Sequence, residues 1–378
     1  MKKIILSSAF SLFIFLVSGC TKEENPIVDP PPKATRSFYM GFTPFPYDIS
    51  NEAVDYVYNK LATDADIISH HFDDGIPWPE ALNGSDFHIN IMNDWQYRLS
   101  RTPASHKILL SVTPIRFFRD GLAPYKAEKG DLPLPAPWDT ISFNHPDVKQ
   151  AFLNYCVRIK NYFNPDFFVI GIEVNLLMIQ APGLWDEYLE LHHYVYEQLK
   201  ILDPQLPILV SVTGMDLVEG YTNANHSQQM QVINDIMNYT DMCGVSLYPY
   251  LTGFLCDTIP SEMFEKIFSY LPKDKAICET GYAADSITVY GGTVVLNGSP
   301  QKQNQYLTLL MNKAEQYDLK FVVNFVLRDY DALWEDIGSP DDLNKVWKDT
   351  GIYDENGNAR LAYQNWYFWL NKQVQPSN

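Results

Sequence analysis

From Phe38 onward, short runs of β-branched and aromatic residues alternate with longer segments whose apolar residues recur at helical spacing. In Asn51–Thr63, for example, Val54, Val57 and Leu61 fall on one helical face. The eight predicted strands are Phe38–Thr43, Ile67–His71, Lys107–Thr113, Phe167–Val174, Pro207–Thr213, Met242–Tyr248, Lys275–Glu279 and Phe321–Leu327. The other predicted helices are Asp147–Phe163, Trp185–Leu202, Ser227–Asn238, Ser261–Leu271 and Gln301–Tyr317.

This alternation predicts the fold class. Strands that alternate with helices pair in parallel through right-handed crossovers, and eight such units are typical of an α/β protein with a (β/α)8 TIM barrel. The alternative is a doubly wound open sheet, but its glycine-rich phosphate turn is missing, since Phe42-Thr43-Pro44-Phe45-Pro46 ends the first strand. We therefore predict one barrel domain over residues 38–373 and a short tail at 374–378.

The first residues of the chain do not follow this pattern. Lys2 and Lys3 precede an apolar segment, Ile4 to Val17, that is too short to span a bilayer stably. The segment Leu16-Val17-Ser18-Gly19-Cys20 resembles a bacterial lipobox, in which the cysteine is lipidated and becomes the mature N-terminus. This predicts a signal peptide at residues 1–19 and a lipid anchor on Cys20, with an uncleaved anchor as the alternative.

Residues 20–37 are predicted to be a tether, because Asp29-Pro30-Pro31-Pro32 favours a semi-rigid extended chain. Thr21-Lys22-Glu23-Glu24 resembles the lysine-plus-acid signal that sends some Gram-negative lipoproteins to the cell surface. An ordinary solvated linker is the alternative. We therefore expect an exported lipoprotein that is anchored in the outer membrane and exposed on the cell surface.

Composition narrows the possible functions. The chain has 378 residues, 46% of them hydrophobic, and a formal net charge of −18, which argues against nucleic-acid and polyanionic partners. The sequence contains no CxxC, HExxH or EF-hand motif, so we predict neither a metal nor a cofactor. It also contains no GxSxG motif, so a serine esterase has no support. The cysteines of the barrel region favour buried thiols over disulfides, and they are Cys156, Cys243, Cys256 and Cys278.

In a (β/α)8 barrel the active site lies at the carboxyl ends of the strands. Several predicted strands end in polar or aromatic side chains, namely His71 and Asp73 (second), Arg116 (third), Glu173 and Asn175 (fourth), Tyr248 (sixth), Glu279 (seventh) and Trp334 (beyond the eighth). Ion pairs at the barrel rim are the alternative explanation for His71, Asp73 and Arg116.

Side chains alternate between the two faces of a strand, and this rule assigns each residue of the fourth predicted strand to one face. Gly171, Glu173 and Asn175 share the face expected to meet the barrel axis, whereas Ile172 and Val174 should meet the helices.

The same rule applied to the seventh run places Ile277 and Glu279 on the inner face and Cys278 toward the helices. In the sixth run it turns Ser246 and Tyr248 inward. Glu173 and Glu279 are thus predicted to converge on one mouth of the barrel.

Two carboxylates across a cleft are the apparatus of glycoside hydrolysis: one protonates the leaving oxygen, and the other attacks the anomeric carbon or activates water. For Glu279 the alternative is a structural carboxylate paired with an arginine.

The order of these strand ends along the chain resembles that of the clan A glycoside hydrolases. Their short sequence motifs are most similar to those of the arabinogalactan endo-galactanase family. The matching motifs are Gly171-Ile172-Glu173, Tyr248-Pro249-Tyr250 and Glu279-Thr280-Gly281-Tyr282. The resemblance implies that Glu173 is the acid/base and Glu279 the nucleophile. It also implies that Tyr248 lies near the nucleophile and that Trp334 forms the floor of a sugar subsite.

One residue departs from the family pattern. Ile172 stands where the clan usually has an asparagine that binds the sugar 2-hydroxyl, and Asn175 is the candidate to compensate. The resemblance implies a retaining hydrolase of a neutral polysaccharide, β-galactan first, with other glycan-uptake proteins as candidate partners. The alternatives are a non-catalytic glycan-binding lipoprotein and a structural surface protein, and the latter would require Glu173 and Glu279 to face apart.

Two long loops favour a sugar cleft. Arg116–His145 carries Phe117, Phe118, Tyr125 and Trp138, and Tyr282–Pro300 contains a predicted β-hairpin on Gly291-Gly292. The run Trp366-Tyr367-Phe368-Trp369 is expected to belong to a C-terminal helix that covers the barrel.

Overall fold

The computed structural model describes residues 34–252, 258–338 and 342–375. The predicted signal peptide, the anchor at Cys20, most of the predicted tether and the thiol of Cys256 lie outside these residues. None of the helices in the described ranges is long and apolar enough to cross a membrane.

Eight parallel strands close into a barrel, and the eighth strand pairs with both the seventh and the first. The (β/α)8 prediction is therefore confirmed, and each predicted strand is found near its expected place. In chain order the strands are Tyr39–Phe42, Ile67–Phe72, Lys107–Val112, Phe167–Val169, Ile208–Thr213, Met242–Leu247, Lys275–Thr280 and Phe321–Asn324.

The helices surround the barrel and begin where local signals favour it. Ser50 accepts a hydrogen bond from the Ala53 amide, and Ser299 caps a helix whose first residue is Pro300. Among the described residues the α-helices are Asn51–Asp64, Trp78–Asn83, Ile89–Arg101, Pro146–Phe163, Asn175–Gln180, Trp185–Leu202, His226–Ile236, Met263–Ser269, Pro300–Gln316, Asp331–Asp336, Asp342–Lys345 and Leu361–Leu370.

Two apolar layers hold the barrel together. The larger layer lies between the strands and the helices, and the smaller one fills the barrel interior, so the barrel is a packed core rather than a pore. The interior layer consists of Ile67, Leu109, Val169, Ile172, Leu209, Met242, Ala276, Cys278, Phe321 and Val323. It closes the floor beneath the carboxyl ends of the strands.

The seventh strand does not keep the alternation that the sequence predicts. Val245 pairs with Ile277 and Ser246 pairs with Glu279, so Cys278 is an extra residue in a β-bulge. Ala276 and Cys278 pack inside the barrel and Ile277 packs toward the helices, the reverse of the prediction for Ile277 and Cys278. The bulge then lets Glu279, the residue after Cys278, line the cavity as well.

The fourth strand also departs from its predicted pattern, because regular pairing ends at Val169. Ile172 was predicted to face the helices but packs in the barrel interior, and Glu173 adopts a left-handed backbone conformation with φ of 49°. Gly171 is needed close by, since a Cβ there would lie 2.6 Å from the Tyr188 hydroxyl.

Both ends of the barrel domain lie beyond the predicted boundaries. Thr35–Arg36 pairs in parallel with Gln373–Val374, so the folded unit begins at Ala34 rather than at Phe38. The buried Arg36 side chain donates to the Asp66 carboxylate and to the Phe38 carbonyl, so residues 34–37 pack against the barrel.

The two remaining predictions about the fold agree with the structure. Ile287–Val289 and Val294–Leu296 form an antiparallel hairpin across Gly291. The C-terminal helix Leu361–Leu370 places the buried Trp366 ring 4.4 Å from the ring of Phe42, so this helix covers the first barrel strand.

The bulge generates a prediction about stability. A Cβ on Gly244 would lie 2.6 Å from the Cys278 sulfur and 2.9 Å from the Val210 carbonyl oxygen, so Gly244→Ala is expected to lower the free energy of unfolding. We expect a loss of about 1–3 kcal/mol in urea titrations. Gly183→Ala is the matched control, since nothing lies within 4 Å of its Cβ position. Equal stability of the two variants would contradict this description.

Candidate active site

A cavity of about 770 Å³ opens at the carboxyl ends of the barrel strands. It is lined by five of the site residues predicted from the sequence, and these are His71, Asp73, Glu173, Tyr248 and Glu279. The structure therefore brings the two predicted glutamates to one cavity, together with the residues expected beside them.

Glu279 lies at the end of the seventh strand, where two neighbours contact its carboxylate. The Tyr248 hydroxyl donates a hydrogen bond of 2.5 Å to Oε1, and Nδ1 of His71 lies 3.8 Å from Oε2. Burial raises the pKa of Glu279, and the charges of Glu173 and Asp73 raise it further, whereas His71 and Tyr248 act in the opposite direction. The net effect is a raised pKa, with burial as its largest cause.

His71 carries the positive charge of this group. Burial alone would lower the pKa of His71, but the Asp73 and Glu279 carboxylates outweigh it and raise that pKa to about 9. The distance from Nε2 of His71 to Oδ2 of Asp73 is 3.5 Å. Burial would raise the pKa of Asp73, but His71 and Arg119 bring it down to about 2. At neutral pH the pair is therefore an imidazolium and a carboxylate.

Glu173 is held by its backbone and by an arginine. Its amide donates to the Ser211 hydroxyl at 2.9 Å, which fixes the left-handed turn in which the residue lies. Oε2 of its side chain accepts a hydrogen bond of 3.2 Å from Arg119. Arg119 is buried, and its Nε has no hydrogen-bond partner among the described residues.

Asn175 was predicted to bind sugar, and the structure contradicts this. The residue is fully buried, donates to Thr213 and Gln229, accepts from the Thr213 amide, and is absent from the cavity lining. The reason is that a helix begins at Asn175, so the alternation of a strand does not continue beyond Glu173.

Arg116 was also predicted to lie at the site, but its exposed side chain turns to Asp120, with a hydrogen bond of 2.6 Å, and does not line the cavity. Arg119, three residues further along the loop, contacts Glu173 instead. No strand pattern extends into this loop, so the alternation of side chains gave no signal for Arg119.

Trp334 was predicted to form the sugar floor, and it too is outside the cavity lining. Leu333 and Ile337 line the cavity from the same region, and because they are four residues apart they share a helical face that Trp334 does not. Aromatic side chains missed by the sequence analysis line the cavity instead, namely Phe45, Phe325, Tyr330 and Trp347. The Trp347 ring meets the Tyr248 ring edge-on at 6.0 Å.

Three carboxylates elsewhere in the described residues lie close enough to share a cation, and these are Asp285, Asp329 and Asp349. Each of these carboxylates already pairs with a basic side chain. Arg360 donates to Asp329 and, at 2.9 Å, to Asp285, while Lys348 donates to Asp349 at 2.7 Å. This cluster is a salt-bridge network that joins the loops after the seventh and eighth strands.

No family profile and no curated protein matches this sequence. Solved structures do share its fold. They include the exo-β-1,4-mannosidase Op5Man5 from Opitutaceae bacterium strain TAV5, at TM-score 0.59 and 12% identity over 89% of this chain and 59% of that one. The chain thus spans about three fifths of the length of that mannosidase.

Two further structures have the same architecture. A GH5_18 variant from Streptomyces cattleya in complex with Manb1-4GlcNAc matches at TM-score 0.58 and 12% identity, covering 90% of this chain and 83% of that one. One of two fungal β-1,4-galactanases matches at TM-score 0.54 and 15% identity, covering 84% and 91%. The chain therefore shares the barrel fold of these three enzymes, the galactanase included.

The charge state of His71 makes stability depend on pH. Since its pKa rises from 6.5 to about 9 on folding, the imidazolium stabilises the fold fully below pH 6.5, and this contribution is lost as pH rises through 9. In urea titrations at pH 6, His71→Gln is expected to be about 1–3 kcal/mol less stable than the wild type. The gap should narrow above pH 9 and be smaller throughout in an Asp73→Asn background. A gap independent of pH would contradict the assignment.

Proposed function

We propose that this protein is a retaining β-glycoside hydrolase acting on a neutral oligosaccharide or polysaccharide. The observation that carries the proposal is the convergence of Glu173 and Glu279 on one cavity at the carboxyl ends of the barrel strands. The fold of the glycoside hydrolases described above supports it.

In this proposal, Glu279 attacks the anomeric carbon while the glycosidic carbon–oxygen bond breaks. Glu173 transfers its proton to the leaving oxygen. In the second step Glu173 takes a proton from water, the water oxygen bonds to the anomeric carbon, and the bond to Glu279 breaks. The Tyr248 hydroxyl and the His71 imidazolium stabilise the ionised form of Glu279, which is the attacking form.

The substrate class follows from the linkages that the structural neighbours are named for. Both the mannosidase and the galactanases are described as acting on β-1,4 linkages. We take β-1,4-galactan as the first candidate, because the strand-end words resemble the endo-galactanases, and β-1,4-mannosides as the second. Aromatic rings in the described lining of the cavity suit the apolar faces of neutral sugars, and they include Phe45, Phe117, Phe118, Tyr248, Phe325, Tyr330 and Trp347.

A glycan-binding protein without catalytic activity is the second candidate. Two observations favour it. Ile172 fills the position of the usual sugar-binding asparagine and packs in the barrel interior, and Arg119 holds Glu173 in an ion pair. A glutamate held against an arginine, with an apolar side chain at position 172, suits ligand binding without turnover.

Substitution of the two glutamates distinguishes these candidates. On aryl galactosides, aryl mannosides and the matching β-1,4 polysaccharides, Glu279→Gln is expected to abolish hydrolysis. Glu173→Gln should lower kcat/KM by about 10²–10⁴-fold on substrates with poor leaving groups. It should have less effect on a dinitrophenyl glycoside, whose leaving group needs no proton.

Glu190→Gln is the matched control, because Glu190 is exposed and lies outside the cavity. Proton NMR of the first-formed product should show the β anomer. Tight polysaccharide binding with no turnover by the wild type would exclude the enzyme and support the binding protein.

We also propose that Cys20 anchors the protein by a lipid to the outer membrane and exposes it on the cell surface, with other glycan-uptake proteins as partners. The lipobox-like motif and the lysine-plus-acid motif that follows it support this proposal. Metabolic labelling with an alkyne fatty acid should mark the wild type and not Cys20→Ser, and the variant should move to the soluble fraction. Labelling of both proteins would reject lipidation at Cys20.

A further inference from the structure

Two adjacent aromatic rings stand unusually exposed at the cavity. Phe117 is 41% exposed and Phe118 is 67% exposed, although both line the cavity, and their rings meet edge-on at 5.7 Å. We call this pair the aromatic tip. Exposed apolar side chains on the wall of a concave site indicate a surface that a ligand covers.

The loop that carries the aromatic tip is held in place. The Arg116 amide donates to the Gly121 carbonyl at 3.0 Å, and the Ala123 amide donates to the Pro114 carbonyl at 2.7 Å. Arg116 and Asp120 form an ion pair across the same turn. The two rings are therefore presented on a preorganised turn, which reduces the entropy lost when a ligand binds to them.

The aromatic tip is connected to the half of the site that contains Glu173. Arg119 follows the tip directly, donates to Glu173 at 3.2 Å, and places its guanidinium carbon 6.0 Å from the centre of the Phe117 ring. Tyr248 and His71 contact the Glu279 carboxylate instead, and they lie just after the sixth strand and near the end of the second strand. A general acid lies beside the leaving group, so its neighbours flank the leaving sugar.

We propose that the aromatic tip is the binding site for the sugar ring on the leaving-group side of the scissile bond. This rests on the proposed function of Glu173 and Glu279. An aromatic face carries partial negative charge and attracts the polarised C–H bonds of a sugar face. The tip thus selects substrates whose leaving group is itself a sugar, and it makes the protein act on chains rather than on glycosides with small leaving groups.

Two classes of substrate test the proposal. The probes are β-galactosyl and β-mannosyl fluoride, whose leaving group has no ring, and β-1,4-galactotriose and β-1,4-mannotriose, whose leaving group is a sugar. In the Phe117→Ala/Phe118→Ala variant, kcat/KM should fall about tenfold more on the triose than on the fluoride of the same sugar. The exposed Phe368, on the C-terminal helix, provides the matched control Phe368→Ala, which should show no such difference.

An equal fall on both substrates, or no fall on the triose, would overturn the proposal. If the wild type hydrolyses neither class, the proposed activity has failed, and the tip is then tested by calorimetry with the same trioses. Weaker triose binding by the double variant but not by Phe368→Ala would support the tip as a sugar site. Unchanged triose binding, or no binding by the wild type, would refute it.

Discussion

The carboxyl group of Glu279 is largely removed from water at the end of a closed, filled barrel, and partial burial of a charge is costly unless partners compensate. The partners are the Tyr248 hydroxyl and the His71 imidazolium, and His71 is itself kept charged by Asp73. Removal of any one of these groups changes the electrostatic environment of the others. The site is therefore one coupled set of charges, and its reactivity depends on how burial and pairing balance.

Two local departures from regular strand geometry place the carboxylates. In the seventh strand a bulge at Cys278 turns both that residue and Glu279 away from the helices, and Gly244 leaves room for the sulfur. Beyond the fourth strand, which ends at Val169, Glu173 adopts a left-handed conformation shortly before a helix begins at Asn175. Irregular backbone at these two points is associated with function, as bulges and strained residues often are.

In the proposed mechanism, Arg119 connects the aromatic tip with the general acid Glu173. It follows the exposed aromatic tip in the chain and pairs with Glu173, so a ligand on the tip lies beside the group that would protonate it. The same arginine occupies one oxygen of the Glu173 carboxylate, and Ile172 places an apolar side chain in the barrel interior next to Glu173 in the chain.

The sequence by itself determined the alternation of strands and helices, the barrel, and the strand ends at which His71, Tyr248 and Glu279 lie. These features follow from local periodicity, which each segment carries independently of the others. Tertiary structure alone decided which side chains reach the cavity where the backbone leaves regular geometry. It buried Asn175, turned Arg116 outward, and brought in Arg119 and Trp347 from loops. The physical reason is that bulges, left-handed turns and loop contacts depend on how distant segments pack, and no short stretch of sequence records that packing.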